Sequence, residues 1–554
     1  KLLVWIIGGV LLFWHFYNSS QNTNPFFLIG GITLIVFFTL AVFATTESTP
    51  LYFESIITGF AHRDMMYHAS LIESIVQNGI PSTGVHGTPF INYHWGSHYM
   101  IAGLQGLIGV RALPFLNIVY PAVFIPLFLK LLFKVFRSLA LFRRVKVYNP
   151  LFFLAFLSVL YSIGFIRIST VGSVSFNLSF IFLFLLTLSI VDYKDDSSSG
   201  ISRHLFYLYC TLLLVIISIS KISTGFLSVI AAGYLLLRLE HRKTKYLWIL
   251  GSGLFIAIIV YLYIFPFRRL ADIQMNQSFF VFIYSSIFNW LTLFFSNTFG
   301  FISHFIGLLI VVTYLLKKYQ IRNFKDLKAL YLSKENIDLE TIALISLIAI
   351  FVTPFLTSKA DISFFILVPL TLSIIYAGIY LMAEFEKFNS KRIFLQIYLL
   401  AIVLMSVISR PDISESHFYT EEIKEQLNQL TDNQEILKEF ITEINSLRDT
   451  YQDEKIAIYI PPSEDWYYHS QTHRPISSSF IVPAVAGISM ISGIPEFILD
   501  SDRNTYGFSY YDEYTDLPFS TVEQAIRHGK KINYHKLFVY QVHQNSLRKE
   551  VYDL

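Results

Sequence analysis

Residues 204–238 read HLFYLYCTLLLVIISISKISTGFLSVIAAGYLLLR, and this stretch decides the fold class. Two apolar runs, 204–220 and 222–238, each contain the roughly 18 residues that a membrane-spanning helix needs. Lys221 is the one charged residue between them, in a turn that reads Ser220-Lys221-Ile222-Ser223-Thr224-Gly225. The stretch therefore predicts a hairpin of two transmembrane helices.

Composition extends this prediction to most of the chain. Of 554 residues, 54% are hydrophobic and only 15% are charged, against about 25% charged in soluble domains. A soluble protein of this size could not bury so much apolar surface, so we expect a mainly α-helical, polytopic membrane protein. The net charge of +3 gives no reason to expect nucleic acid as a partner, and the single cysteine, Cys210, excludes an intrachain disulfide.

Apolar runs bounded by polar or Gly/Pro breaks predict about twelve spans, in residues 1–45 and 113–410. They lie near 2–17, 27–45, 113–136, 150–168, 173–191, 204–220, 222–238, 246–265, 298–316, 340–358, 362–382 and 393–409. A thirteenth run, 278–295, either spans or lies in the interface. We favour an interfacial or re-entrant segment, because a full crossing would move the basic 317–334 loop to the wrong side.

Basic residues in short loops predict the orientation. Lys and Arg concentrate in 130–146, 238–245, 317–334 and 387–392, and such loops remain in the cytoplasm. The loop 46–112 and the tail 411–554 are then extracytoplasmic, in a multi-pass protein of the plasma (inner) membrane.

These two segments do not have the composition of membrane spans. In the loop, Met65–Gln77 and His98–Val110 have the pattern of amphipathic helices, separated by breakers that include Gly79 and Pro81. We expect both helices to lie flat on the outer membrane surface. In the tail, 421–447 and 520–528 predict helices and 456–460 and 537–542 predict strands, which indicates a small α/β domain.

The densest polar clusters are 62–68 and 92–98, both in the loop. Asp64 and His68 are four residues apart, as are His94 and His98, so each pair would share one face of a helix. A carboxylate and imidazoles beside a membrane suit general-base catalysis, for which Asp64, His68 and His94 are the candidates. The same three residues and His98 are weaker candidates for a divalent metal site.

The loop resembles the first external loop of GT-C membrane glycosyltransferases. The similarity consists of Asp64-x-x-Tyr67-His68, an amphipathic helix, the Gly79-x-Pro81 break, the stretch Tyr93-His94-x-Gly96 and a second surface helix. The resemblance implies that Asp64 acts as catalytic base or helps to hold a metal, and that the donor is a polyprenyl-phosphate-linked sugar. It also implies a role in cell-envelope polysaccharide biosynthesis. The chain departs from the family in 167–173, where a second acidic motif is expected and none occurs.

A lipid-phosphate donor requires cations at the outer ends of the spans. The candidate residues for binding the donor phosphate are Arg63, Arg167, Lys221, Arg268 and Arg269. Lys221 is the most suggestive, since an ionisable group so close to hydrocarbon is a functional candidate by default. Snorkelling to lipid headgroups is the alternative for all five.

Aromatic residues of the tail, such as Trp466, Tyr467 and Tyr468, either stack on sugar rings or pack in the domain core.

The function predicted from the sequence is transfer of a sugar from a polyprenyl-phosphate donor to a lipid, glycan or protein acceptor at the extracytoplasmic face. A transporter or flippase for lipid-linked glycans is less favoured, because the span centres are almost purely apolar. A non-catalytic membrane assembly subunit, with the loop as docking surface, is the remaining alternative. A polysaccharide polymerase or ligase would place its large loop late among the spans, whereas here it comes early.

Overall fold

We describe a computed structural model of the chain. It describes residues 51–91, 95–142, 173–195, 203–239, 244–264, 336–352, 359–386, 421–451, 454–471, 475–491 and 519–554, with isolated positions between 309 and 328 and between 494 and 498. The predicted spans at 2–17, 27–45, 150–168, 278–295 and 393–409 lie outside these ranges, and so does most of 298–316.

The described part is mainly helical with one small sheet. In chain order its elements are α1 (Tyr52–Ile57), α2 (Arg63–Asn78), α3 (Trp95–Ile108), α4 (Ala112–Pro114), a π-helical turn (Phe115–Val119), α5 (Tyr120–Phe142), α6 (Val174–Asp195), α7 (Arg203–Ser220), α8 (Ile222–Leu239), α9 (Thr244–Ile264), α10 (Ile337–Val352), α11 (Lys359–Glu386), α12 (Asp432–Thr450), β1 (Ile456–Tyr459), α13 (Asp465–Tyr468), a 3₁₀ helix (Pro475–Phe480), α14 (Ile481–Ala486), β2 (Ser489–Ile491), α15 (Val522–Lys531), β3 (Lys536–His543) and β4 (Ser546–Asp553).

The chain divides into two compact units. Residues 1–35 and 124–410 form one, which we call the helical unit, and residues 36–123 and 411–554 form the other, which we call the composite unit. The loop and the tail, which the sequence presents as separate segments, thus belong to one unit.

In the helical unit, consecutive helices pack side by side from α6 to α9, and α8 also packs on α10 and α11. The hairpin between α7 and α8 is very tight. A Cβ on Gly225 would lie 2.3 Å from the Cα of Ser218, so only glycine permits this approach. At the opposite end of α8, the Arg238 guanidinium forms an ion pair of 3.0 Å with Glu340 of α10, and Tyr234 donates to the same carboxylate.

Two helical runs of the described residues, Ala112–Ala140 and Val174–Val191, are long and apolar enough to cross a membrane. This finding rests on length and composition, and it is consistent with association with a membrane. Shorter apolar helices follow in the helical unit, at His204–Ser220, Ile222–Arg238, Lys245–Ile259 and Phe365–Tyr380.

The sheet of the composite unit has the strand order β2-β1-β3-β4. Strand β1 pairs in parallel with β2 and β3, and β3 pairs antiparallel with β4. Gln544 and Asn545 turn the β3–β4 hairpin at φ values of 50° and 58°, as the two-residue turns that match strand twist require. Helix α15 packs on the sheet over a core that includes Tyr459, Ile491 and Leu537.

The predicted strands at 456–460 and 537–542 and the predicted helix at 520–528 are confirmed as β1, β3 and α15. The predicted helix 421–447 is interrupted at 429–431, and α12 begins after Thr431 with a complete capping box to Gln434. The strands β2 and β4 were not predicted. Strand β2 has only three residues, and the alternation of β4 is hidden because it is an exposed edge strand rich in charged residues.

Helix α2 does not lie flat on a membrane surface as expected. All of its residues from Met65 to Ile75 are buried, because α14 and the 3₁₀ helix from the tail cover the side that α3 leaves open. Helix α3 differs, since Leu107 and Ile108 at its end are 85% and 53% exposed, which leaves an apolar strip ahead of the run that begins at Ala112.

Candidate functional site

Helix α2 positions the predicted catalytic residues. It begins at Arg63, after His62 in an extended conformation, and it ends at Gly79, whose φ of 72° is left-handed. Asp64 therefore occupies the first turn, where the helix dipole stabilises a negative charge. His68 lies one turn further along and Glu73 lies in the second half of the helix.

Asp64 is partly exposed although the residues that follow it, from Met65 to Ile75, are buried. Its side chain is 42% exposed and lies 3.9 Å from the Arg63 guanidinium. A contact this long between two exposed groups contributes little stability. The Asp64 side chain is therefore partly accessible to solvent.

His68 and His98 form a buried hydrogen-bonded pair. Nδ1 of His68 lies 2.9 Å from Nε2 of His98, and the two residues are 6% and 0% exposed. The bond joins α2 to α3 across 30 residues of sequence. Both residues were candidates from the sequence. The four-residue spacing paired His98 with His94 on one helix, whereas in the structure His98 bonds to His68 of another helix.

The divalent metal site stays a prediction, since one of its four candidate residues lies outside the described ranges. In the ranges that the model describes, no three His, Cys, Asp or Glu residues converge on one point. His68 and His98 also each use a ring nitrogen in their mutual bond. His94 lies outside the described residues, as do Arg167, Arg268 and Arg269.

Glu73 is a buried acidic residue that is not among the site residues predicted from the sequence. It is fully buried and accepts hydrogen bonds at 2.7 Å from the Ala112 amide, at 2.9 Å from the Gln105 amide and at 2.7 Å from the Arg448 guanidinium. Arg448 comes from α12, 375 residues away. An acidic residue among the apolar positions of α2 was the one signal that could have indicated a buried partner.

A second arginine extends this link in the opposite direction. Arg111, which precedes α4, donates to Asn445 and forms a 3.0 Å ion pair with Asp449, both on α12. Two arginines thus link the loop to the tail. Arg111 of the loop contacts α12, and Arg448 of α12 contacts α2.

The segment 79–91 attaches to the edge of the sheet. Gly84 accepts a backbone hydrogen bond from Met490 of β2, and Gly87 donates one to the Met490 carbonyl. Between them, the ring of His86 stacks on His528 of α15 with centroids 4.5 Å apart. Burial, reinforced by repulsion from His528, lowers the pKa of His86 to about 3, so His86 is neutral at pH 7.

The tail aromatics belong to the core. Trp466, Tyr467 and Tyr468 are 3%, 0% and 0% exposed, and the first two pack edge-on against Phe440 of α12. The alternative of sugar stacking is therefore wrong for these three residues, because a buried ring offers no face to a sugar.

Lys221 lies in the helical unit within a buried polar cluster. It is 3% exposed, and Ser220, Ser223 and Thr224 beside it are also buried. Ser179 of α6 donates to Thr224 at 3.0 Å. Among the described residues, the hydroxyls of Ser220 and Ser223 have no hydrogen-bond partner, and they immediately flank the N-terminus of α8.

No protein-family model matches the chain, and no curated protein matches its sequence.

Proposed function

We propose that the protein is a polytopic membrane glycosyltransferase of the GT-C kind. It transfers a sugar from a polyprenyl-phosphate donor to an acceptor at the extracytoplasmic face of the plasma (inner) membrane. Its spans are the apolar runs within residues 1–45 and 113–410, and the loop 46–112 and the tail 411–554 are extracytoplasmic. The membrane orientation follows from the basic loops at 130–146, 238–245, 317–334 and 387–392.

One observation carries this proposal. Asp64 stays 42% exposed at the start of a helix whose next eleven residues, Met65 to Ile75, are all buried. A carboxylate that is partly exposed at the start of a buried helix can meet a substrate while its backbone is held in place, as a general base requires. The buried His68–His98 pair belongs to the same unit.

The chemistry assigns separate roles to the two ends of the reacting bond. The Asp64 carboxylate takes the proton of the acceptor hydroxyl, a contribution of about 10²–10⁴ in rate. The acceptor oxygen bonds to the anomeric carbon as the bond to the phosphate oxygen breaks. Charge then develops on the departing phosphate, and cations stabilise it.

Arg63 is our candidate for that cation. Its side chain is 37% exposed and lies beside Asp64 on the same helix, and a guanidinium donates in the forked geometry that phosphate oxygens accept. Lys221 of the helical unit stays a candidate from the sequence alone.

Asp64→Asn tests the proposal directly. Purified full-length protein in nanodiscs is incubated with a panel of polyprenyl-phosphate sugars and acceptors, and products are identified by mass spectrometry. We expect wild type to transfer one of the sugars and Asp64→Asn to lose at least 10²-fold in rate, with unchanged thermal stability.

Asp465→Asn is the matched control. Its side chain is 80% exposed and contacts only His469 among the ion pairs described, so this variant retains full activity if the effect is specific to Asp64. Wild-type turnover by Asp64→Asn would rule out the assignment of the base.

A further inference from the structure

The His68–His98 bond restricts the protons that the two rings can hold. Nδ1 of His68 and Nε2 of His98 are hydrogen-bonded at 2.9 Å, so one of the two nitrogens donates a hydrogen and the other accepts it. A neutral imidazole carries one N–H and one lone pair. The position of that hydrogen therefore determines which nitrogen of His68 keeps the lone pair.

The surroundings of His98 allow it to act as the acceptor. Its other nitrogen, Nδ1, lies 3.4 Å from the hydroxyl of Ser97, which can accept a hydrogen. If His98 is protonated on Nδ1, its Nε2 accepts from Nδ1–H of His68. The lone pair of His68 is then on Nε2, as a proton acceptor requires.

We propose that His98 is a positioning residue for sugar transfer, fixing His68 as the Nδ1–H tautomer with a basic Nε2. This inference rests on the proposed function, and it gives His68 a step of its own. Asp64 takes the acceptor proton, and the resulting carboxylic acid passes it to Nε2 of His68. The carboxylate is thereby regenerated, and the imidazolium is stabilised by donating Nδ1–H to His98.

The burial of the pair favours this division of roles. Asp64 is exposed and meets the acceptor, whereas His68 and His98 are 6% and 0% exposed. Asp64 and His68 are one helical turn apart and share a face of α2. Because α2 and α3 are both held in the composite unit, the bond between them also fixes the plane of the His68 ring.

Two substitutions of His98 separate positioning from packing. In His98→Gln, the amide oxygen can still accept from Nδ1–H of His68, whereas in His98→Leu no acceptor remains. Because general-base catalysis contributes about 10²–10⁴ in rate, we expect His98→Leu to lower kcat by at least about 10-fold with little change in KM for the donor, and His98→Gln to recover most of that loss.

The tautomer is read directly by ¹⁵N NMR of histidine-labelled, full-length protein in nanodiscs, with His68→Gln to assign the signal. We expect His68 to be protonated on Nδ1 in wild type and in His98→Gln, and to lose this preference in His98→Leu. Protonation on Nε2 in wild type, or an unchanged signal in His98→Leu, would overturn the inference.

The two proposals fail in different ways. Absence of transfer by wild type across the panel would contradict the proposed function, while the NMR signal would still decide the tautomer. Transfer by wild type with equal kcat in His98→Leu would contradict the role of His98 and leave the proposed function standing.

Discussion

At the scale of single residues, Glu73 shows how a buried charge fixes a fold. Its carboxylate accepts from a backbone amide, an amide side chain and a guanidinium, so each charge-assisted bond offsets part of the cost of burial. Removing one partner of such a pair leaves an uncompensated charge, which costs more than the pair itself contributes.

Arg448→Met should therefore destabilise the protein strongly. Glu73 is fully buried and Arg448 only 16% exposed in their ion pair, so we expect a loss of about 3–5 kcal/mol, measured by thermal or denaturant unfolding in detergent. Lys438→Met is the control, because its pair with Glu435 is exposed and should change stability by less than about 1 kcal/mol. Equal effects of the two substitutions would contradict the role assigned to the buried pair.

At the scale of elements, the segment 79–91 is shaped by its glycines. Gly79 and Gly84 both have left-handed φ values, 72° and 66°, but their surroundings differ. A Cβ on Gly79 would meet nothing within 4 Å, whereas a Cβ on Gly84 would lie 2.9 Å from Cβ of Pro483 in α14. Both positions thus favour glycine because of their left-handed φ values. At Gly84, the close approach of Pro483 from the tail is a second reason.

Gly84→Ala should detach the segment from the sheet edge, while Gly79→Ala should not. Both substitutions carry a backbone cost of about 1–2 kcal/mol, and the additional clash at Gly84 has to be relieved by a shift of the backbone. Hydrogen exchange measures this through the amides of Gly87 and Met490, which bond across the edge. We expect faster exchange at both in Gly84→Ala alone, and similar exchange in the two variants would show that the clash is unimportant.

At the scale of the whole molecule, the composite unit is assembled from two segments, 36–123 and 411–554, that lie on either side of residues 124–410 in sequence. Helix α2 from the loop is covered by elements of the tail, and segment 79–91 pairs with β2. The exposed Asp64 thus depends on the tail for its position. His86 from the loop and His528 from the tail stack within this unit, so its stability should depend on pH.

Acid should weaken the composite unit. The pKa of His86 is lowered from its ordinary 6.5 to about 3 in the folded protein, so between these values the unfolded chain binds a proton that the native state does not. Stability is then highest above pH 6.5 and falls as pH falls toward 3, by about 2 kcal/mol at pH 5 from this residue. Burial and Lys531 lower the pKa of His528 as well, which acts in the same direction.

His86→Phe should reduce this acid dependence in unfolding measurements between pH 7 and pH 5, because phenylalanine keeps an aromatic ring and does not titrate. His469→Phe, at an exposed position, should leave it unchanged. A stability difference between pH 7 and pH 5 that is the same in His86→Phe and wild type would contradict the assignment.

The sequence by itself determined the local structure and part of the candidate site. Apolar runs of sufficient length predicted helices α6 to α9, and the breakers at Gly79 and Pro81 ended α2 where the structure ends it. Spacing also singled out Asp64 and His68. These features follow from interactions within a few residues, and periodicity and turn chemistry report such interactions directly.

The tertiary structure alone decided which distant residues meet. The partnerships of Glu73 with Arg448, of His68 with His98 and of Gly84 with Met490 join positions 375, 30 and 406 residues apart, and no local pattern specifies them. It also decided that α2 is covered by the tail and does not rest on a membrane, since an amphipathic helix buries its apolar face equally well against protein or lipid. The sequence pattern reports that a face must be buried, and the fold determines against what.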